Sequence, residues 1–148
     1  MSVERGADVK TYSTNSAEET KKVASEIASE LVGGEVIAMK GDLGAGKTCF
    51  VSGLAAALGF LGEVTSPTFA IINEYLGGRL NVYHFDMYRV TSWEDLYSTG
   101  YFEYLEAGGV TAVEWSENIE AALPENYITV EILKNSDGGR IINVEGMK

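Results

Sequence analysis

Hydrophobic residues recur with a helical period near the start of the chain. Val23, Ile27 and Leu31 are spaced four positions apart, and this spacing predicts an amphipathic helix with one buried face. Ser16 precedes this pattern, and Glu19 lies three positions after Ser16, so the two residues predict a capping box at the helix start. The glycine pair that follows Leu31 is expected to end this helix.

Shorter apolar runs predict strands, and the helical period returns between Lys47 and Leu58. The predicted single strands are VKTYST (9–14), EVIAMK (35–40) and GVTAVEW (109–115). Glycines separate two further pairs of runs and predict hairpins: FAIINEYL with RLNVYHFDMY across Gly77-Gly78, and YITVEILK with RIINVEG across Asp137-Gly138-Gly139. SWEDL (92–96) and YFEYLEA (101–107) suggest short helices. Because hairpins make antiparallel neighbours, the pattern predicts an α/β fold with a mixed sheet.

Composition limits the classes of protein to which this chain can belong. Its 148 residues fit a single domain, and a hydrophobic content of 45% is enough for a full core. There is no apolar run of transmembrane length, and the first residues lack the apolar region of a secretory signal. Cys49 is the sole cysteine, so no internal disulfide is possible. We therefore expect a cytoplasmic protein, with residues 1–8 loose.

The charge is strongly acidic. The formal net charge is −11, from 22 acidic and 11 basic residues, and the four arginines are scattered along the chain. Proteins that bind nucleic acid directly usually carry a basic patch, so stable direct binding to DNA or RNA is not expected. The charge is compatible with a basic protein partner.

A glycine-rich segment, GDLGAGKT (41–48), has the spacing of a phosphate-binding loop. It follows a predicted buried strand and precedes a predicted helix, which is where such loops occur. Their backbone N–H groups converge on phosphate, while the lysine reaches the β- and γ-phosphates and the hydroxyl residue ligates Mg²⁺. The predicted nucleotide-binding residues are Gly41, Asp42, Leu43, Gly44, Ala45, Gly46, Lys47 and Thr48, with Cys49 as a small residue packed beside them. The fold class is accordingly a single P-loop NTPase-like α/β domain over residues 1–148.

Two acids follow apolar runs and are candidates for the metal and for catalysis. Asp86 ends VYHFD and Glu114 ends VTAVE. A carboxylate at the carboxyl end of a buried strand faces the crevice where ligands bind in α/β sheets. Either acid can hold Mg²⁺ or orient the attacking water, and the sequence does not say which acid has which role.

Other polar and aromatic residues have two interpretations each. His84 lies two positions before Asp86 and is either a general base or, as we favour, a structural histidine. Trp115 is interpreted as a core or surface-anchoring aromatic, with partner binding as the alternative. Ser66 or Thr68 in TSPTF (65–69) is either a γ-phosphate sensor or part of a plain turn.

The absence of two sequence motifs helps to indicate which nucleotide the chain uses. The chain has no Asn-Lys-x-Asp and no Asp-x-x-Gly, which argues against a GTPase of the common kind. Four scattered arginines do not favour a kinase lid that clamps two phosphates. ATP hydrolysis is the preferred interpretation, and a small-molecule or protein kinase and a non-catalytic nucleotide sensor are the alternatives.

The motifs GDLGAGKT, TSPTF, VYHFDMYR and VEW, in this order, together resemble the TsaE family, which are bacterial P-loop ATPases of tRNA threonylcarbamoyladenosine biosynthesis. TNSAEET before the first helix is also similar, and the resemblance covers residues 11–133. It implies a Mg²⁺-dependent ATPase that is weak alone and joins the TsaB and TsaD proteins. In that assembly, ATP hydrolysis is thought to reset the threonylcarbamoyl transferase, and the family member does not itself transfer the group.

The resemblance also implies roles for individual residues. The loop with Lys47 binds the ATP phosphates and Thr48 binds Mg²⁺. Glu114 matches a metal ligand and Asp86 a metal-associated or catalytic acid. Thr14 lies where the family's N-terminal segment approaches the adenine, and Arg140 matches a late residue near the base. Two positions depart from the family pattern: Cys49 stands where threonine is frequent, and Ser116 where proline is common.

Overall fold

The computed structural model describes residues 2–5, 9–42, 44–64 and 71–147. Within these ranges, eight strands form one sheet in the order β1-β2-β8-β7-β3-β6-β5-β4. The strands are β1 (Ser2–Arg5), β2 (Val9–Thr14), β3 (Val36–Gly41), β4 (Ile72–Tyr75), β5 (Val82–Asp86), β6 (Val110–Glu114), β7 (Ile128–Lys134) and β8 (Arg140–Glu145). The helices are α1 (Ala17–Ala28), α2 (Lys47–Ala57), α3 (Trp93–Ser98), α4 (Tyr101–Leu105) and a 3₁₀ helix (Ser116–Ala122).

The centre of the sheet is parallel and its flanks are antiparallel. Strand β3 pairs in parallel with β6 and β7, and β5 pairs in parallel with β6. Strand β4 joins one edge antiparallel to β5, while β8, β2 and β1 extend the other edge with antiparallel pairing. The predicted fold class, an α/β fold with a mixed sheet and flanking helices, is confirmed. The carboxyl ends of the four parallel strands meet at one edge, which is where the candidate site lies.

Each face of the sheet carries its own core, because neighbouring residues of a strand point to opposite faces. Helices α1 and α2 cover the face that includes Ile37, Met39 and Ala112. Helices α3 and α4 and the 3₁₀ helix cover the other face, where Val36 and Val113 are buried. All five residues of β6 are buried, as expected for a strand covered on both sides.

Helices α1 and α2 cross closely. Gly53 of α2 allows this approach, because a Cβ at this position would lie 2.7 Å from the Cα of Lys21. Helix α1 begins as predicted: Ser16 is its N-cap, and the Ser16 side chain accepts a hydrogen bond from Glu19 N at 3.1 Å. It ends at Ala28, and Leu31, which shares the predicted apolar face, is buried beyond the helix.

Three features differ from the sequence-based expectations. Residues 2–5, expected to be loose, form strand β1, whose pairing satisfies backbone groups along the outer edge of β2. The hairpin at Gly77-Gly78 pairs Tyr75 with Val82, so its connection is residues 76–81 rather than two glycines. The register is fixed by tertiary contacts: Arg79 N donates to Leu58 O of the α2 end, and the Arg79 side chain donates to Leu31 O and Ala28 O, both at 2.9 Å. The 3₁₀ helix was not predicted.

No helix among the described residues has both the length and the apolar character needed to span a bilayer.

Candidate active site

The glycine loop joins the end of β3 to the start of α2, and its backbone requires glycine. Gly41, Gly44 and Gly46 have φ values of 125°, 72° and 111°, in the left-handed region that disfavours side chains. At Gly41 a Cβ would also collide with the backbone of Ile132 on the neighbouring strand β7. The loop therefore passes close to β7 and then turns into α2, the geometry on which the phosphate-binding prediction depends.

Hydrogen bonds hold this loop at Asp42 and at Ala45. Asp42 N donates to Ile132 O at 3.2 Å, and Asp42 Oδ2 accepts from Lys134 N at 3.1 Å. Arg140 on β8 donates from Nε to Ala45 O at 2.7 Å. Asp42 and Arg140 thus anchor the loop to the β7–β8 hairpin, and this anchoring is their observed role. Leu43, also predicted to bind phosphate, lies outside the described residues.

The start of α2 supplies the polar groups expected of a phosphate site. Gly46 is the N-cap, and the N–H groups of the first turn have no partner within the helix by its geometry. Lys47 and Thr48 are the first two helical residues and are half-buried. Lys47 Nζ donates to Gly41 O at 3.3 Å, so the ammonium lies over the loop itself. Free N–H groups, the helix dipole and an ammonium together favour an anion here.

The two acids end adjacent parallel strands. Asp86 of β5 and Glu114 of β6 are paired in register, and Met39 of β3 is paired with Glu114 on its other side. Neighbouring strands lie about 4.8 Å apart, so Glu114 lies one strand away from the strand that leads into the glycine loop, and Asp86 lies two strands away. Met87 N donates to Glu114 O at 3.0 Å and ties the two strand ends together. The register thus places Asp86 and Glu114 side by side at the carboxyl edge of the sheet.

The surroundings of the two acids differ. Asp86 is half-buried, and its Oδ1 accepts from Tyr88 N at 3.0 Å. Glu114 is only 8% exposed, and its Oε2 is 2.6 Å from Nε2 of fully buried His84. Nδ1 of His84 lies 3.2 Å from the hydroxyl of Tyr75. His84 is therefore a satisfied buried histidine, as favoured from the sequence, but its partner is a candidate catalytic acid.

Thr48, Asp86 and Glu114 offer hard oxygen donors, the type that Mg²⁺ prefers. Among the described residues no group of three His, Cys, Asp or Glu forms a protein-only metal cage. Mg²⁺ keeps several waters and is usually held by one or two carboxylates plus substrate phosphates. The donor set is compatible with the predicted metal.

A cavity of about 290 Å³ lies beside the loop, on the side away from the acids' strands. Residues 15–17 and Thr20 form one wall, Ala45, Gly46 and Cys49 another, and residues 138–140 the third. Thr14 is buried behind the first wall, with its hydroxyl 2.9 Å from that of Thr20. The structure thus brings the predicted base-binding segments around Thr14 and Arg140 together with the loop.

Cys49 lines this cavity, and its Sγ donates to Ala17 O at 3.7 Å. Burial raises the pKa of the Cys49 thiol above its usual value. A raised pKa leaves little thiolate at neutral pH, which supports a packing role rather than a catalytic one.

Sequence reasoning missed some residues of this cavity and of the acid cluster. Asn15 and Gly139 line the cavity, and a Cβ on Gly139 would lie 2.7 Å from Thr14 O. The signal was present, since Asn15 precedes the predicted helix cap and Gly139 belongs to the predicted turn. Tyr75 carried no recognisable signal. Ser66 and Thr68 lie outside the described residues, so the sensor interpretation stays a prediction.

Trp115 follows Glu114 directly and is the only non-glycine residue with positive φ in the described part of the chain, with φ 59° and ψ 40°. Such a conformation costs about 1–2 kcal/mol for an ordinary residue. The Trp115 ring is partly exposed and packs on Tyr88, with ring centroids 4.9 Å apart. Trp115 is therefore surface-anchoring rather than core, and it turns the chain away immediately after the acid.

A family model and individual relatives identify the same family for this chain. The family model described as threonylcarbamoyl adenosine biosynthesis protein TsaE matches residues 14–142. The relatives that carry the name tRNA threonylcarbamoyladenosine biosynthesis protein TsaE include proteins of Treponema pallidum and Bacillus subtilis. The Treponema pallidum protein is 41% identical over 131 residues, covering 88% of this chain and 96% of the relative. The Bacillus subtilis protein is 43% identical over 132 residues, covering 88% and 82%.

A solved structure is similar over the whole chain. The crystal structure of Bacillus subtilis YdiB aligns with a TM-score of 0.81 and 35% identity, covering 100% of this chain and 89% of the other. The region matched by the family model runs from Thr14 to beyond Arg140, so it includes every candidate site residue.

Proposed function

Because the chain belongs to the TsaE family of threonylcarbamoyladenosine biosynthesis proteins, we propose that it is a Mg²⁺-dependent ATPase that acts as the energy module of the TsaB–TsaD complex during this tRNA modification. One observation carries the proposal of hydrolysis. The glycine loop at the end of β3 lies beside Glu114 on the adjacent strand, with Asp86 one strand further. A loop alone supports nucleotide binding, whereas a loop beside paired acids supports turnover.

The binding step is assigned to the loop and the neighbouring cavity. The N–H groups at the α2 start and Lys47 bind the phosphates. The base occupies the cavity between residues 15–20 and residues 138–140. A volume of about 290 Å³ is large enough for a purine, and it opens beside Gly46, where the phosphate site begins.

The chemical step is assigned to the acids. Thr48, Glu114 and Asp86 are the residues that would hold Mg²⁺, which supplies a positive charge that offsets charge on the transferring phosphoryl group. Lys47 stabilises the same developing charge from the loop side. One of the two acids orients the attacking water, and a variant series at both positions separates that role from metal binding.

The proposed partners follow from the family and fit the charge. Family members carry names from threonylcarbamoyladenosine biosynthesis, a pathway that acts on tRNA. This chain has a net charge of −11, so contact with a partner protein is easier to reconcile with it than direct contact with tRNA. ATP turnover would then drive a cycle in TsaB–TsaD, in the cytoplasm.

Substitution of Lys47 tests the proposal. Lys47→Ala is expected to weaken ATP binding and to abolish formation of the modified nucleoside in cells that depend on this chain. Binding is measured by calorimetry with ATP and Mg²⁺, and the nucleoside by mass spectrometry of digested tRNA. Lys22→Ala is the matched control, since Lys22 is an exposed lysine on α1 and its loss removes the same charge. If Lys47→Ala leaves both readouts at the level of the control, the proposal is wrong.

A further inference from the structure

Glu114 is held from behind by a buried hydrogen-bonded chain of side chains. It is the one carboxylate among the buried residues of the described chain. Its Oε2 lies 2.6 Å from His84 Nε2, and His84 Nδ1 lies 3.2 Å from the Tyr75 hydroxyl. His84 is 0% exposed and Tyr75 is 4% exposed. A buried acid with such a chain behind it resembles the outer-shell arrangements that orient metal ligands.

The hydrogen-bond directions in this chain are mutually consistent. A carboxylate only accepts, so the imidazole donates from Nε2–H to Glu114. A neutral imidazole then carries a lone pair on Nδ1, which accepts from the Tyr75 hydroxyl. Both ring nitrogens of His84 are used, and the ring cannot rotate without losing one bond. Three adjacent strands contribute one residue each: β4, β5 and β6.

The consequence concerns the orientation of the carboxylate. The imidazole engages Oε2, so Oε1 is the oxygen that remains to address a metal ion or a water. His84 and Glu114 lie on the same face of the sheet as the buried Ala112, the face covered by α2 and its preceding loop. The hydrogen bonds from Tyr75 through His84 therefore fix which oxygen of the Glu114 carboxylate faces the glycine loop.

We propose that His84 is a positioning residue, held in one orientation by Tyr75, that aligns the Glu114 carboxylate for the Mg²⁺–ATP site. This proposal rests on the proposed function and adds the residue that orients Glu114, the buried acid of the site. His84 touches neither nucleotide nor water in this account and acts through Glu114 alone.

Two amide substitutions test this with matched chemistry. The amide nitrogen of glutamine reaches about as far as Nε2 of histidine, whereas that of asparagine reaches only as far as Nδ1. His84→Gln therefore keeps a donor to Glu114, and His84→Asn keeps a polar group that faces Tyr75 instead. His84→Leu removes both. Tyr75→Phe removes the hydroxyl that bonds His84 Nδ1 and leaves the His84–Glu114 bond in place.

The primary readout is the Mn²⁺ concentration that half-saturates the protein in the presence of a non-hydrolysable ATP analogue, followed by electron paramagnetic resonance. Loss of an outer-shell partner typically costs about 10–100-fold in metal affinity. We expect Mn²⁺ affinity to fall by this factor in His84→Leu and His84→Asn. It should be close to the wild-type value in His84→Gln and should fall by less in Tyr75→Phe. The second readout is the Mg²⁺ dependence of phosphate release, which should follow the same order.

Phe85→Leu controls for damage to strand β5. Phe85 neighbours His84 but is buried on the opposite face of the sheet, so this variant should lower the free energy of unfolding without moving the metal midpoint. Equal metal midpoints in wild type, His84→Leu and His84→Asn would overturn the positioning role. So would a loss in His84→Gln as large as that in His84→Leu. If wild type itself does not bind nucleotide and Mn²⁺, the proposed function fails instead, and the two failures are distinguishable.

Discussion

Arg140 links the last hairpin to the glycine loop, and its removal should weaken both the fold and the proposed nucleotide site. Its Nε donates to Ala45 O at 2.7 Å, and its Nη1 donates to Gly138 O at 2.9 Å and Gly139 O at 3.0 Å. Ala45 is fully buried, so in Arg140→Ala its carbonyl would lose its charged donor without ready access to water.

The cost of Arg140→Ala can be estimated from these contacts. A hydrogen bond from a charged donor contributes about 1.5–3 kcal/mol, and this applies to the buried Ala45 carbonyl. The two bonds to the nearby turn contribute less, about 0.5 kcal/mol each, because Arg140 is half-buried and water can replace them. The free energy of unfolding should fall by roughly 2.5–4 kcal/mol. Because the loop also loses its tether, ATP affinity should fall roughly tenfold, equivalent to about 1.4 kcal/mol.

Urea unfolding followed by circular dichroism measures the first effect, and calorimetry with ATP and Mg²⁺ measures the second. Arg140→Lys should be intermediate, since an ammonium reaches one carbonyl but lacks the planar set of donors. Arg89→Ala is the control: Arg89 is exposed, and a change within about 0.5 kcal/mol is expected. A loss below about 0.5 kcal/mol in Arg140→Ala would refute the reasoning, because the tether would then contribute nothing measurable.

Three further predictions use residues elsewhere. Cys49, the sole cysteine, lines the proposed base cavity, so Mg²⁺–ATP at 100 times its Kd should slow alkylation of the Cys49 thiol about 100-fold. Equal alkylation rates with and without nucleotide would mean that the base does not bind in this cavity. The Ser116 hydroxyl is buried without a hydrogen-bond partner among the described residues, so Ser116→Ala should raise the urea-derived free energy of unfolding by about 1 kcal/mol, and a clear decrease would indicate an unrecognised partner. Burial raises the pKa of Tyr101 to about 12, so this phenol ionises at lower pH in the unfolded chain than in the folded one, and the free energy of unfolding falls between about pH 10 and pH 12. In Tyr101→Phe, the slope of the free energy of unfolding against pH in this range should be smaller by the equivalent of about one proton. Identical slopes in wild type and variant would contradict the raised pKa.

The parts of the fold that local chemistry determines could be predicted from the sequence. The N-cap at Ser16, the buried strand before Gly41 and the final hairpin all depend on residues close together in the chain, and all are present in the structure. The second bond of the predicted capping box differs, because the Glu19 carboxylate accepts from Asn15 N rather than from Ser16 N. The position of the two acids at strand ends was predictable for the same reason, since each directly follows an apolar run.

Features that depend on which strands become neighbours could not be predicted. The register of the β4–β5 hairpin is set by Arg79 contacts with α1 and with the segment after it, and nothing in the local turn sequence encodes these contacts. The bond between His84 and Glu114 spans 30 positions and exists because β5 lies beside β6. Strand order is a global property, so the sequence indicated a structural histidine without indicating what it holds.

The central claim, that this chain hydrolyses ATP at an acid-containing site beside the glycine loop, is tested most directly by phosphate release from Glu114→Gln. The measurement compares wild type and variant with Mg²⁺–ATP and the TsaB–TsaD complex, and records bound nucleotide in the same samples. Because a group that holds the metal or orients the water contributes about 100-fold or more, turnover should fall by at least that factor while ATP remains bound. Turnover at the wild-type rate in a variant that binds ATP would contradict the account.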